Sequence, residues 1–130
     1  MIKTVAVGTD GSETAGIAVA EAMEIAERFG ASLLVLSAFD DGNAEWASNA
    51  AEQVERILAV AEETAAERGI DCRSAAEAGD AGEVLVSLAE RHGADLIVVG
   101  SRGMERRLLG SVPNTVTHKA SCSVLVVKTV

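Results

Sequence analysis

Asp95-Leu96-Ile97-Val98-Val99-Gly100-Ser101-Arg102-Gly103 is the stretch that decides the fold. Four apolar residues in a row, three of them β-branched, run straight into a glycine-rich turn. A short continuous apolar run bounded by glycine suits a strand buried on both faces. The same pattern recurs at Ser32 to Ala38, with Leu33-Leu34-Val35-Leu36, and at Ser123 to Val127, with Val124-Leu125-Val126-Val127. A β-branched run from Ile2 to Thr9, ended by Asp10-Gly11-Ser12, makes another strand. Ile70 to Glu77 is a weaker, more polar one, suited to an edge.

Helical periodicity fills the intervals. Glu13 to Phe29 carries Ile17, Ala18, Met23, Ile25 and Ala26 on one stripe, with Ser12 placed as N-cap and Gly30 as the residue past the end. After a polar loop over Asp40 to Ala44, a helix runs from about Glu45 to Arg68 on Val54, Ile57, Leu58 and Ala61, and Gly69 stops it. Glu83 to Arg91 is a third helix closed by Gly93, and Pro113 to Ala120 a short fourth with proline in its first turn. Strands that alternate with helices imply crossover units and a parallel sheet covered on both faces. The chain of 130 residues reads as one α/β domain.

Composition narrows the partners. Aromatics are limited to Phe29, Phe39 and Trp46, too few for a platform that stacks single-stranded bases. The net charge of −9 makes duplex nucleic acid and anionic membranes poor partners. That charge is uneven: Arg102, Arg106, Arg107, Lys119 and Lys128 face Glu105 alone after residue 100. A basic island in an acidic chain suits an anion site, and equally suits scattered lysines and arginines near helix ends. Cys72 and Cys122 have no metal or redox spacing and read as buried small hydrophobes. The N-terminus lacks a signal-peptide pattern and no apolar run is long enough to span a bilayer. The expectation is a cytoplasmic protein.

In open α/β sheets ligands bind outside the carboxyl ends of the strands. Gly8-Thr9-Asp10-Gly11-Ser12 and Gly100-Ser101-Arg102-Gly103 both lie at such ends, and Gly110-Ser111-Val112 opens the fourth helix. Glycines let backbone approach a ligand closely. The free N–H groups that open a helix favour an anion, and Ser111 adds a hydroxyl. This is a phosphate site in chemical type, though no lysine follows Gly110-Ser111 as a Walker loop requires. The competing reading is a glycine-rich turn before an N-capped helix. Asp10 suits acceptance of ribose hydroxyls, or helix capping shared with Ser12.

On these residues the chain resembles the universal stress proteins from end to end. The resemblance rests on Ile2 to Ser12, on Gly79-Asp80-Ala81-Gly82-Glu83, and above all on Val98 to Lys128. ATP-binding members carry glycine, two residues, glycine, nine residues, then Gly-Ser or Gly-Thr. Here Gly100 and Gly103 keep that spacing, but only Met104 to Leu109 separate Gly103 from Gly110. The resemblance implies a Rossmann-like fold of the adenine-nucleotide α-hydrolase type, an open five-stranded parallel sheet in the order 3-2-1-4-5. It implies that Asp10 contacts the ribose and that Ala38 lines the adenine pocket, with Thr9, Gly11 and Ser12 also among the nucleotide-binding residues. It places phosphates on Gly100, Arg102, Gly103, Gly110, Ser111 and Val112. The shorter loop leaves ATP, ADP and AMP open as ligands, with Mg²⁺ or Mn²⁺ accompanying the phosphates.

The functional expectation is an adenine-nucleotide-binding stress-response regulator that signals to a protein partner. The alternative is an interaction module of the same fold without nucleotide. No catalytic set is visible: neither His92 nor His118 pairs with a nucleophile, which leaves at most slow ATP hydrolysis or autophosphorylation. The last strand, Val124 to Val127, is an apolar edge without charge, proline or bulge, and predicts a two-fold homodimer through that edge.

Overall fold

The apolar run Leu96 to Val99 lies in an inner strand of a five-stranded parallel sheet. The computed structural model describes residues 1–40, 44–101 and 111–129. The elements follow in order: β1 (Thr4–Gly8), α1 (Glu13–Phe29), β2 (Ser32–Phe39), α2 (Ala44–Glu67), β3 (Cys72–Ala78), α3 (Ala81–Arg91), β4 (Leu96–Gly100), α4 (Val112–Lys119) and β5 (Ser123–Val127). The sheet order is β3-β2-β1-β4-β5 and every pairing is parallel. The order reverses at β1, whose neighbours are β2 on one side and β4 on the other.

Alternation along each strand divides the core in two. Val5, Val7, Leu33, Val35 and Val98 pack with Ala18, Ala22 and Met23 of α1 and with Val54, Leu58 and Ala61 of α2. Ala6, Leu34, Leu36, Ile97 and Val99 pack on the opposite face with Val84, Leu85, Leu88 and Ala89 of α3 and Val116 of α4. Two helices therefore cover each face, and the two cores meet only through the sheet. Small residues let the helices lie close. A Cβ on Gly82 would stand 2.6 Å from Thr115 Cβ, so glycine in the first turn of α3 is what allows α4 to pack there.

Helix ends are capped as the sequence suggests, with one extension. Ser12 Oγ accepts from the Ala15 amide, and Gly30 closes α1 in the left-handed region. Asp80 caps α3 by accepting from Glu83 N–H, so α3 starts two residues before Glu83. Cys72 and Cys122 are half-buried rather than buried. Burial, with Glu62 and Asp71 adding to it, pushes the Cys72 thiol up to about 11, so it stays a thiol at neutral pH. At the amino end of the sheet, Asp95 Oδ2 accepts from the amides of Lys3 and Thr4 at 2.9 and 3.0 Å. Those two amides hold the Asp95 carboxyl below the usual carboxylate range. They also pin β1 against the start of β4.

Candidate functional site

The turn after β1 is built by its own short side chains. Thr9 N–H continues the ladder to Leu36 O at 2.9 Å. Thr9 Oγ1 accepts from Gly11 N–H, and Asp10 Oδ1 accepts from Ser12 N–H at 2.9 Å. This Asp10 bond is a local turn that delivers Ser12 to its capping position. Gly11 takes φ +81°, a left-handed conformation that side chains rarely adopt, and a Cβ there would lie 2.7 Å from Ile57 Cδ1. The turn is thus seated against α2. From the other side Ser37, 2% exposed, donates its hydroxyl to Thr9 O at 2.8 Å.

Above this turn the carboxyl ends of β1, β2 and β4 open into a cleft of about 190 Å³. Thr9, Asp10, Ser12, Ala38, Gly100 and Val112, all expected at the site, line it together. Gly11 stands behind the turn, against Ile57, and is not among the lining residues. The first turns of α1 and α4 both reach the cleft, through Thr14 and Ala15 on one side and Val112 and Pro113 on the other. With Ala81 at the start of α3, three helix N-termini turn the positive ends of their dipoles toward the cleft, although the Ala15 amide is already taken by Ser12 Oγ and Pro113 has none. Ser111 caps α4, yet its side chain makes no capping bond, and its Oγ is buried without a partner. An orphaned hydroxyl beside a helix N-terminus is ready to donate to an anion. Arg102, Gly103, Arg106, Arg107 and Gly110 lie outside the described residues.

The family model of the universal stress protein family matches residues 1–128. The chain belongs to that family. Universal stress protein Rv1636 of Mycobacterium tuberculosis is 36% identical over 142 aligned positions, which cover 98% of this chain and 97% of the relative. Universal stress protein MJ0531 of Methanocaldococcus jannaschii is 33% identical over 98% of this chain and 83% of its own length. Among solved structures, a universal stress protein in complex with cAMP superposes with a TM-score of 0.84 at 37% identity, covering 99% of this chain and 98% of the other.

Several lining residues of this universal stress protein were not expected from its sequence. Ser37, inside the strand expected from Ser32 to Ala38, holds the Thr9 carbonyl. Leu85 comes from α3 and fills the space where a Gly8 side chain would stand, 2.5 Å from that Cβ position. Thr129 follows β5 and closes the cleft beside Gly100. Gly100 lines the cleft with its backbone and also makes room for the tail. The space freed by its missing Cβ is taken by Thr129 Cγ2, 3.1 Å away, and is bordered by Ala18. Among the described residues no group of three His, Cys, Asp or Glu side chains could hold a metal ion. No described helix is long and apolar enough to cross a membrane.

Proposed function

We propose that the chain binds an adenine nucleotide between the ends of β1 and β4 and acts as a stress-response regulator whose loaded state is read by a protein partner. The observation that carries this reading is the cleft at the sheet's reversal point, faced by the N-termini of α1, α3 and α4, with the Ser111 hydroxyl buried and unpaired just before the α4 residues that line it. Adenine would lie against Ala38, ribose near Thr9 and Asp10, and phosphate at the opening of α4. ATP, ADP and AMP are candidates, and cAMP joins them because a relative 37% identical was solved with it. Mg²⁺ or Mn²⁺ would be carried by phosphate oxygens, with Asp10 the carboxylate among the described lining residues. Calorimetry on nucleotide-free protein should give dissociation constants of about micromolar order. No heat and no competition by any of the four nucleotides would hand the fold to the alternative, an interaction module.

The same reading includes a homodimer through β5. Val127 O accepts from Ser101, so Leu125 and Val127 turn their peptide groups toward β4 while Val124 and Val126 turn theirs to the open edge. Val124 to Val127 are half-buried within one chain. An antiparallel copy would pair that edge. Light scattering should report twice the chain mass, and Val126→Pro, which removes an outward donor and spares the β4 ladder, should shift the protein to monomer. A monomeric wild type at all concentrations rejects the dimer.

A further inference from the structure

The segment after β5 does not leave the sheet. Ser101 N–H donates to Val127 O at 2.8 Å, and Thr129 N–H donates to Ser101 Oγ at 2.9 Å. These two bonds carry the chain past the end of its strand and set Thr129 over Gly100, with Thr129 Oγ1 3.4 Å from where a Gly100 Cβ would be. Thr129 lines the cleft, yet its hydroxyl oxygen is sealed from solvent and has no hydrogen-bond partner. Folding gains nothing from burying an unpaired hydroxyl there, because its bonds to water are lost and not replaced. A valine would fill the same volume without that loss. The other buried hydroxyl without a partner among the described residues is that of Ser111.

The two orphans stand on opposite layers of the fold. Gly100 and Thr129 border Ala18 of α1, whereas Ser111 caps α4, which packs on the other face. Thr129 lies over Gly100 at the carboxyl end of β4, and Ser111 opens the helix whose first residues, Val112 and Pro113, line the same cleft. A ligand group that satisfied both would carry several acceptor oxygens and sit across that strand end. A phosphate does so; an adenine edge or a single ribose hydroxyl does not.

We infer that Thr129 is a specificity-determining residue of the cleft, whose hydroxyl donates to a phosphate oxygen of the bound nucleotide from the α1 side. The inference rests on the adenine-nucleotide reading above. It assigns to the tail after β5 the task of distinguishing phosphorylated nucleotides from the bare nucleoside.

The test compares wild type, Thr129→Val and Thr129→Ser by calorimetry with AMP, ATP and adenosine, and by thermal melting without ligand. Thr129→Val should weaken AMP and ATP roughly tenfold or more, as expected for loss of a hydrogen bond to a charged acceptor. Adenosine should bind the variant as it binds the wild type, and Thr129→Ser should bind AMP as the wild type does. The ligand-free Thr129→Val protein should melt at the wild-type temperature or above it, because no bond is lost. Equal weakening of adenosine and AMP, unchanged AMP binding, or a lower melting temperature in the absence of ligand would each overturn the assignment. A wild type that binds none of the three ligands would overturn the adenine-nucleotide reading itself, a result separate from any difference among the variants.

Discussion

Gly11→Val should both destabilise the fold and remove nucleotide binding. Gly11 stands at φ +81°, where a β-branched residue is a steric outlier, and its Cβ would fall 2.7 and 2.8 Å from Ile57 Cδ1 and Cγ1. Left-handed backbone costs an L-residue about 1–2 kcal/mol, and forcing methyl groups into a filled space about 1–3 kcal/mol more. Together these make a loss of about 3 kcal/mol, or roughly 10 °C in melting temperature for a domain of this size. The strain falls on the turn that holds Thr9 and Asp10 in place, so the protein that remains folded should bind adenine nucleotides at least about tenfold more weakly. Thermal melting and calorimetry at a temperature well below the transition separate the two effects. A variant with wild-type melting and affinity would show that neither the φ angle nor Ile57 constrains this turn.

Leu34→Ala should show the opposite balance. Leu34 is fully buried in β2, paired with Ala6 of β1 and Arg73 of β3, in the core formed with α3 and α4. Its truncation leaves a cavity under a sheet that cannot collapse around it, and costs about 2–5 kcal/mol. Yet Leu34 stands deeper in the strand than Ser37 and Ala38, which line the cleft. Chemical denaturation should therefore record a large loss of stability, while the folded fraction binds nucleotide within about threefold of wild type, the range of small relayed shifts. A loss of affinity comparable with that of Gly11→Val would mean that the core of β2, not the turn, sets the site.

What the sequence made legible follows from how each element is buried. β2 and β4 stand out because strands covered on both faces must be apolar at successive positions, as Leu33 to Leu36 and Leu96 to Val99 are. β3 could be read as an edge because one side of it faces solvent, and its polar residues Arg73, Ser74 and Glu77 follow from that. α3 begins two residues before Glu83 and so takes in Gly82. Its presence answers to Thr115, more than thirty positions later, which no local pattern reveals. The cleft divides the same way. Thr9, Asp10, Ala38 and Val112 sit in motifs at strand and helix ends, so their places could be named in advance. Ser37 and Thr129 owe their roles to partners across the sheet, Thr9 O and Ser101 Oγ, and a hydroxyl's partner is invisible until the strands are set side by side.

The sheet order also has a consequence for the protein while it is being made. β1 finds β2 within the first forty residues, and β3 joins soon after. The other side of β1 waits for β4, and for Asp95 to receive the amides of Lys3 and Thr4, until some hundred residues have emerged from the ribosome. A half-sheet of β1, β2 and β3 formed in that interval would carry Val5, Ala6 and Val7 along an open edge. A strand whose Val5, Ala6 and Val7 end fully buried is therefore, until β4 arrives, the one that a chaperone has most reason to cover.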